Sequence, residues 1–491
     1  MASKKQNKQI KVLEKSPTGI SGLDEITGGG LPKGRPTLVA GGPGCGKTLF
    51  AMEFLVKGAI QYNEPGVFVA FEENAEELAE NVASLGFDLQ ELNRQKKLII
   101  DYVRVERSEI EEAGEYDLDG LFIRLGHAID SIGAKRVVLD TVEVLFSALS
   151  NPGIIRAELH RLFRWLKDKE VSAIVTGERG EGAITRFGLE EYVADCVIQL
   201  DHRVTEEVST RRLRIIKYRG TLHGTNEYPF LIGKRGISVL PITSLALEHE
   251  ASTERIPTGI AGLDEMLGNK GFYRGSSILV SGSAGSGKSS LAATFVDAAC
   301  RRGERCLYFA FEESPSQILR NMSSIGIDLA PHVKKGLLSF HAMRPSGYGL
   351  EMHLVTMNDQ IREQQPEIVV LDPITDFAVV GSLAEVKSAI TRIIDSLKMN
   401  QITGLFTSII SEEDAVDKSI VGISSLIDTW ISLRQIEKNG DRQRGIFILK
   451  SRGMPHSSHI RSFHMTDDGI RIVPVNLAER QSGLLPVEEK L

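Results

Sequence analysis

Gly41-Gly42-Pro43-Gly44-Cys45-Gly46-Lys47-Thr48 and Gly282-Ser283-Ala284-Gly285-Ser286-Gly287-Lys288-Ser289 are two renderings of one pattern, G-x-x-x-x-G-K-[ST]. Each follows an apolar run, at 36–40 in the first and 276–281 in the second, and each leads into helical spacing. Strand, glycine-rich turn and helix together make a phosphate cradle. The glycines let backbone N–H groups curl around phosphate oxygens, Lys47 or Lys288 reaches the β- and γ-phosphates, and the hydroxyl of Thr48 or Ser289 ligates Mg2+. Two nucleoside triphosphate sites are expected, with Gly42 to Thr48 and Ser283 to Ser289 holding the nucleotides.

Outward from these loops the chain repeats itself. Lys47 and Lys288 are 241 residues apart, and PTGISGLDE from Pro17 returns as PTGIAGLDE from Pro257, an offset of 240. FVAFEE ending at Glu73 returns as YFAFEE ending at Glu313, again at 240. VVLD ending at Asp140 recurs at Asp372, an offset of 232, and KYRG from Lys217 matches KSRG from Lys450 at 233. Such offsets indicate tandem duplication, with a few residues deleted from the second copy between Glu313 and Asp372. A length of 491 residues also exceeds what one core usually serves. The divisions expected are a flexible basic arm over 1–15, a first domain over 16–247, a second over 248–476 and a short tail over 477–491.

Composition is that of a soluble globular protein, and no apolar run approaches a membrane span. The lysine-bearing N-terminus lacks the apolar stretch of a secretory signal, so a cytoplasmic protein with no membrane partner is expected. A net charge of −7 disfavours nonspecific coating of nucleic acid, which depends on phosphate neutralisation by Lys and Arg. Cys45, Cys196, Cys300 and Cys306 show no metal-binding spacing, so neither zinc nor a disulfide framework is expected. Cys45 lies within a phosphate loop whose N–H groups could activate its thiol; a small residue tolerated there is the simpler reading.

Apolar β-branched runs at 37–40, 66–71, 98–103, 136–140 and 172–177 alternate with helical patterns at 48–62 and 75–85, the signature of a mainly parallel α/β sheet flanked by helices. Runs at 197–204, 211–220 and 236–242, and at 430–437, 445–453 and 469–475 in the second copy, predict an antiparallel extension. Asp140 and Asp372 each end a strand at the sheet edge that bears the phosphate loop, where a carboxylate can orient Mg2+ or its waters, as a Walker B aspartate does. Glu72-Glu73 and Glu312-Glu313 end the strand after the phosphate-loop helix. Either acid of each pair could position a nucleophile or act as its base, or the pair could favour the next helix dipole; the sequence leaves open which glutamate acts.

The double phosphate loop, PTGIxGLDE, FEE, RFGLEEYVAD and KYRGTLH resemble the KaiC clock-protein family of RecA-like ATPases, from about Ile10 to Val475. The resemblance implies tandem duplicated RecA-like P-loop NTPase domains assembled as a double-ringed homohexamer, with ATP between neighbouring subunits. It implies an ATPase in the first ring and a serine/threonine autokinase in the second. It also implies that Lys217, Arg219, Thr221 and His223, and their counterparts Lys450 and Arg452, are presented to nucleotide on the adjacent subunit. There an arginine can neutralise developing γ-phosphate charge. A basic edge strand protected from aggregation is the other reading of Arg211, Arg212 and Arg214.

The copies diverge where Gly188-Leu189-Glu190-Glu191 is replaced by Gly422-Ile423-Ser424-Ser425. The resemblance makes Ser424 and Ser425 the phosphorylation positions, so the second copy carries switchable charge where the first has permanent charge. Two serines could also cap a helix or fill a turn. The short tail after residue 476 argues against docking of a KaiA-type activator, while the resemblance leaves room for a KaiB-like partner on the first ring. A DNA-stimulated RecA or helicase-like motor and a nucleotide-gated scaffold are the competing function classes.

Overall fold

The computed structural model describes residues 13–104, 118–146, 151–180, 184–186, 188, 193–205, 208–241, 251–410, 424–438 and 441–474. Most of the expected basic arm, Glu190 and Glu191, the stretch containing the expected domain boundary, and the tail lie outside these residues. The chain divides into two compact units, 1–244 and 245–491.

In the first unit a short pair, β1 (Lys15–Ser16) and β2 (Leu31–Pro32), precedes the main sheet. The sheet contains β3 (Pro36–Gly41), β4 (Gly66–Ala70), β5 (Leu98–Tyr102), β6 (Arg136–Asp140), β7 (Ser172–Glu178), β8 (Cys196–Thr205), β9 (Val208–Tyr218), β10 (Glu227–Gly233) and β11 (Gly236–Val239). Its nine strands run in the order β11-β10-β9-β8-β3-β7-β6-β4-β5. From β8 to β5 all pairings are parallel, whereas β8 to β11 pair antiparallel, as the change of sequence pattern predicts.

Alternation along each strand decides the two packing layers. Val39, Phe68, Val138 and Ile174 face the helix Lys47–Gln61 through Phe50 and Phe54. Leu38, Val67, Val137, Leu139 and Val175 face the other way, onto Leu159, Leu162, Phe163 and Leu166 of the helix Pro152–Asp168. Strands buried on both sides must read as continuous apolar runs, which is why these do.

The second unit repeats the plan. Its short pair is β12 (Arg255–Ile256) with β13 (Phe272–Tyr273). Its sheet has β14 (Ser277–Gly282), β15 (Cys306–Ala310), β16 (Leu338–Ala342), β17 (Ile368–Asp372), β18 (Thr403–Ile409), β19 (Thr429–Lys438), β20 (Asp441–Ser451), β21 (Arg461–Thr466) and β22 (Gly469–Pro474). The order β16-β15-β17-β18-β14-β19-β20-β21-β22 matches that of the first sheet. The offset between copies is still 240 at β5 and β16, and is 232 at Gly133 and Gln365, which end corresponding helices in left-handed conformations. The deletion therefore lies between Ala342 and Gln365. Strands β10 and β21 were not foreseen; Pro229 interrupts the apolar reading of the first, and Arg461 and His464 that of the second.

Candidate nucleotide sites

In both units the phosphate loop leaves the C-terminal end of a central parallel strand, and its lysine begins a helix, Lys47–Gln61 or Lys288–Arg301. Gly46 and Gly287 precede the helices at φ 101° and 102°, a backbone that only glycine adopts without strain. No side chain caps either helix, so the first N–H groups are directed at whatever occupies the loop. A Cβ at Gly44 or Gly285 would meet nothing, which marks an open cradle. The Lys47 ammonium donates to the carbonyls of Gly41 (2.9 Å) and Gly42 (3.1 Å), and Lys288 to those of Gly282 (2.9 Å) and Ser283 (2.8 Å). Burial lowers the Lys288 pKa, opposed by Asp372 and Glu312, so these two carboxylates lie within electrostatic reach of the loop lysine.

Cys45 and its counterpart Ser286 turn inward beneath the loop, each almost fully buried. Burial pushes the Cys45 thiol above its usual pKa despite the attraction of Lys47, so the loop does not activate it. The four cysteines are buried and free.

Asp140 and Asp372 end β6 and β17 at the same sheet edge. Asp140 is buried, which raises its pKa; hydrogen bonds from Thr176 and Thr48 and the charge of Lys47 oppose that rise. Thr48, Lys47 and Asp140 are thereby one cluster. Asp372 accepts from the Thr407 hydroxyl at one oxygen and from the Tyr308 phenol, 2.5 Å away, at the other. A hydroxyl, a carboxylate and an uncapped helix N-terminus supply oxygen ligands and N–H donors suited to Mg2+ and triphosphate. Thr48 and Asp140, or Ser289 and Asp372, would hold the metal.

The two glutamates of each pair have different neighbours. Glu73 accepts from the Asn81 amide at 3.1 Å and Glu313 from that of Asn321 at 3.2 Å, each contact reaching forward onto the following helix. Glu72 instead is exposed and lies within electrostatic reach of Lys47 and Asp140. Partial burial raises its pKa, Asp140, Glu178 and Glu73 push the same way, and Lys47 opposes them. Glu312 interacts with Lys288 and with Asp376, whose carboxyl is pushed up to about 6 by burial, then Glu312 and Asp372, against Arg344.

The C-terminal ends of β9 and β20, and the residues that follow them, lie at the opposite sheet edge. Thr37 of β3 pairs with Cys196, which pairs with Tyr218, whereas the phosphate loop starts beyond Gly41. Four residues of strand separate these ends by roughly 13 Å. Lys217, Arg219, Thr221 and His223 are therefore not brought to the loop of their own unit. Arg219 lies 3.8 Å from Asp195, and Thr221 donates to the Leu222 carbonyl at 3.2 Å. The second unit has the same register: Ile278 pairs with Thr429, and Trp430 with Lys450.

Ser424 and Ser425 sit at that distal edge, in a turn just before β19. Three cations grip three consecutive carbonyls of the turn: Lys450 donates to Ser424 O (2.8 Å), Arg452 to Ser425 O (2.5 Å) and Lys398 to Leu426 O (3.0 Å). Lys398 also pairs with Asp428 at 2.8 Å. The sequence reading missed Lys398 along with Asn81, Asn321, Thr176, Thr407 and Tyr308. Recurrence between copies could have found Asn81 with Asn321 and Lys167 with Lys398, but the position of Tyr308 is occupied by Phe68 in the first copy, which leaves no such trace. Arg444 was also missed; it donates to Gly285 O of the phosphate loop at 3.3 Å.

Comparison with known proteins agrees with this architecture. The model of the family described as "ATPase: KaiC" matches residues 16–244 and again 256–476. The chain belongs to the KaiC family. It is 56% identical over 477 residues to circadian clock protein KaiC2 of Synechocystis sp., covering 97% of this chain and 84% of that one. It is 40% identical to circadian clock protein KaiC3 of the same organism, over 94% of this chain and 92% of that one. Against circadian clock oscillator protein KaiC of Parathermosynechococcus lividus the identity is 38%, over 94% and 86%. As a KaiC-family ATPase the chain uses ATP. Among the described residues, no helix is long and apolar enough to cross a membrane.

Proposed function

We propose that the first domain, 16–247, hydrolyses ATP and that the second, 248–476, transfers the γ-phosphoryl group of ATP to Ser424 or Ser425 of a neighbouring subunit in a homohexamer. The observation that carries this reading is the grip of Lys398, Lys450 and Arg452 on the turn of Ser424 and Ser425, at the sheet edge away from that unit's own phosphate loop. A phosphoserine there would gain charge-assisted contacts from cations already in place, and the distance from the loop calls for a second subunit.

In the second site the serine Oγ attacks the γ-phosphorus, the bond from that phosphorus to the β,γ-bridging oxygen breaks, and ADP leaves. Glu312, which interacts electrostatically with Lys288 and Asp376, takes the serine proton. In the first site water is the nucleophile, Glu72 takes its proton, and the products are ADP and inorganic phosphate. Thr48 and Asp140, or Ser289 and Asp372, would hold Mg2+, which when bound would supply positive charge to the phosphate oxygens. The lysines hold the β- and γ-phosphates, and Arg219 or Arg452 from the neighbour adds positive charge at the subunit boundary. Relatives named as circadian clock proteins support a timing role; a cytoplasmic location, stress signalling as the other role and a KaiB-like partner belong to the same proposal.

Incubation with Mg2+ and ATP followed by intact-mass measurement tests the kinase assignment. The native chain is expected to gain one or two phosphates, and Ser424→Ala/Ser425→Ala none. A native chain that stays unmodified, or a variant labelled to the same extent, ends the assignment.

A further inference from the structure

The two sites differ at one buried hydroxyl. Tyr308 of β15 is fully buried, and its register places it on the sheet face of Ala310, opposite Val370, with Ala310 opposite Asp372. Its phenol donates to Asp372 Oδ2 at 2.5 Å, while Thr407 serves Oδ1. The first site keeps the threonine, Thr176, but has Phe68 where Tyr308 stands. Phe68 is likewise fully buried, so this strand position accepts a ring without the hydroxyl. The ring of Tyr308 packs against Phe340 with centroids 5.4 Å apart, a contact that phenylalanine would keep. A buried phenol needs an acceptor, but nothing in the packing required a phenol. What the hydroxyl changes is the carboxylate: with both oxygens held by side chains that the sheet fixes, Asp372 cannot rotate.

We infer that Tyr308 is a positioning residue of the second nucleotide site, one that holds the Asp372 carboxylate in the orientation it presents to Mg2+ and nucleotide. The inference rests on the reading of Asp372 as the metal-orienting carboxylate. Outer partners of a ligating carboxylate set its orientation, and their loss commonly weakens metal binding by about 10- to 100-fold. In the first site Thr176 donates to Asp140 as Thr407 does to Asp372, but the ring at the Tyr308 position has no hydroxyl to hold the second oxygen. The two sites should therefore differ in how they depend on this position and on Mg2+.

The test uses the full chain carrying Lys47→Ala, which leaves the second site to report. Affinity for a fluorescent ATP analogue is measured across a Mg2+ titration and in EDTA. Tyr308→Phe is expected to raise the Mg2+ midpoint about tenfold and to leave the affinity in EDTA unchanged, which also reports an intact fold. Asp372→Asn is expected to raise the midpoint at least as far. If Asp372→Asn shifts the midpoint and Tyr308→Phe does not, the phenol merely packs and the inference is overturned. If neither moves it, the metal role of Asp372 falls, and the inference with it.

Discussion

At the scale of single residues, the two carboxylates of each FEE segment are separated by their surroundings. Glu313 is tied to the Asn321 amide on the next helix, and Glu312 interacts electrostatically with Lys288 and Asp376. Glu312→Gln should therefore lower phosphate incorporation by about 10²- to 10⁴-fold, the usual worth of a general base, while nucleotide affinity holds. Glu313→Gln should change incorporation by only a few-fold. Radiolabel transfer from ATP, measured beside nucleotide affinity, separates the two, and equal losses would sink the assignment of the base. The sequence made the pair visible because both copies keep it. It could not say which member acts, because adjacent residues take opposite directions only once the strand ends and the following helix supplies Asn81 or Asn321. Tyr308 was hidden for another reason: amid Cys306, Leu307 and Phe309 it reads as one more aromatic in a buried strand.

At the scale of elements, the sheet class was legible because parallel strands buried on both faces leave unbroken apolar runs, whereas the strand order was not read from them. Buried charge was not. Arg136, fully buried at the start of β6, donates to Glu64 (2.7 Å) and to the carbonyls of Phe54 (2.7 Å) and Pro17 (2.7 Å), and so locks the PTGI segment to the phosphate-loop helix. Glu53 on that same helix is 1% exposed and accepts from the Ile237 N–H at 2.6 Å, which joins the helix to the β10–β11 hairpin. Burial pushes its pKa to about 7 from an ordinary 4.5, while the Ile237 hydrogen bond and Lys57 oppose the rise. Since the folded state holds this proton more tightly than the unfolded chain does, the associated stability is full below about 4.5 and is lost as pH rises through about 7. The loss is on the order of 3 kcal/mol. Trp165 is the only tryptophan besides Trp430, so a Trp430→Phe background lets fluorescence report the first domain alone. Its urea midpoint should fall between pH 5 and pH 8, and Glu53→Gln, which keeps an acceptor for Ile237, should flatten the fall. A midpoint in the parent that is already independent of pH over this range would rule out a titrating Glu53.

At the scale of the whole molecule, the duplicated sheet imposes a geometric requirement. Each phosphate loop opens at the C-terminal edge of its parallel strands, while Ser424 and Ser425 and the cations around them lie at the N-terminal edge of the second sheet. One strand-length, roughly 13 Å, separates phosphate donor from acceptor within a unit. Transfer within that unit would have to cross the sheet edge to edge, so it should proceed between subunits. Two inactive chains then ought to rescue each other. Lys288→Ala removes the lysine of the second loop but keeps both serines; Ser424→Ala/Ser425→Ala keeps the loop but has no acceptor. Neither should gain phosphate alone with Mg2+ and ATP. Mixed under conditions that exchange subunits, the pair should place phosphate on the Lys288→Ala chain, identified by its mass. The yield should peak near equal mixing, because each productive contact needs one chain of each kind. Phosphate on Lys288→Ala incubated alone would mean that a different site supplies it, and silence in an exchanged mixture would mean that donor and acceptor belong to one chain.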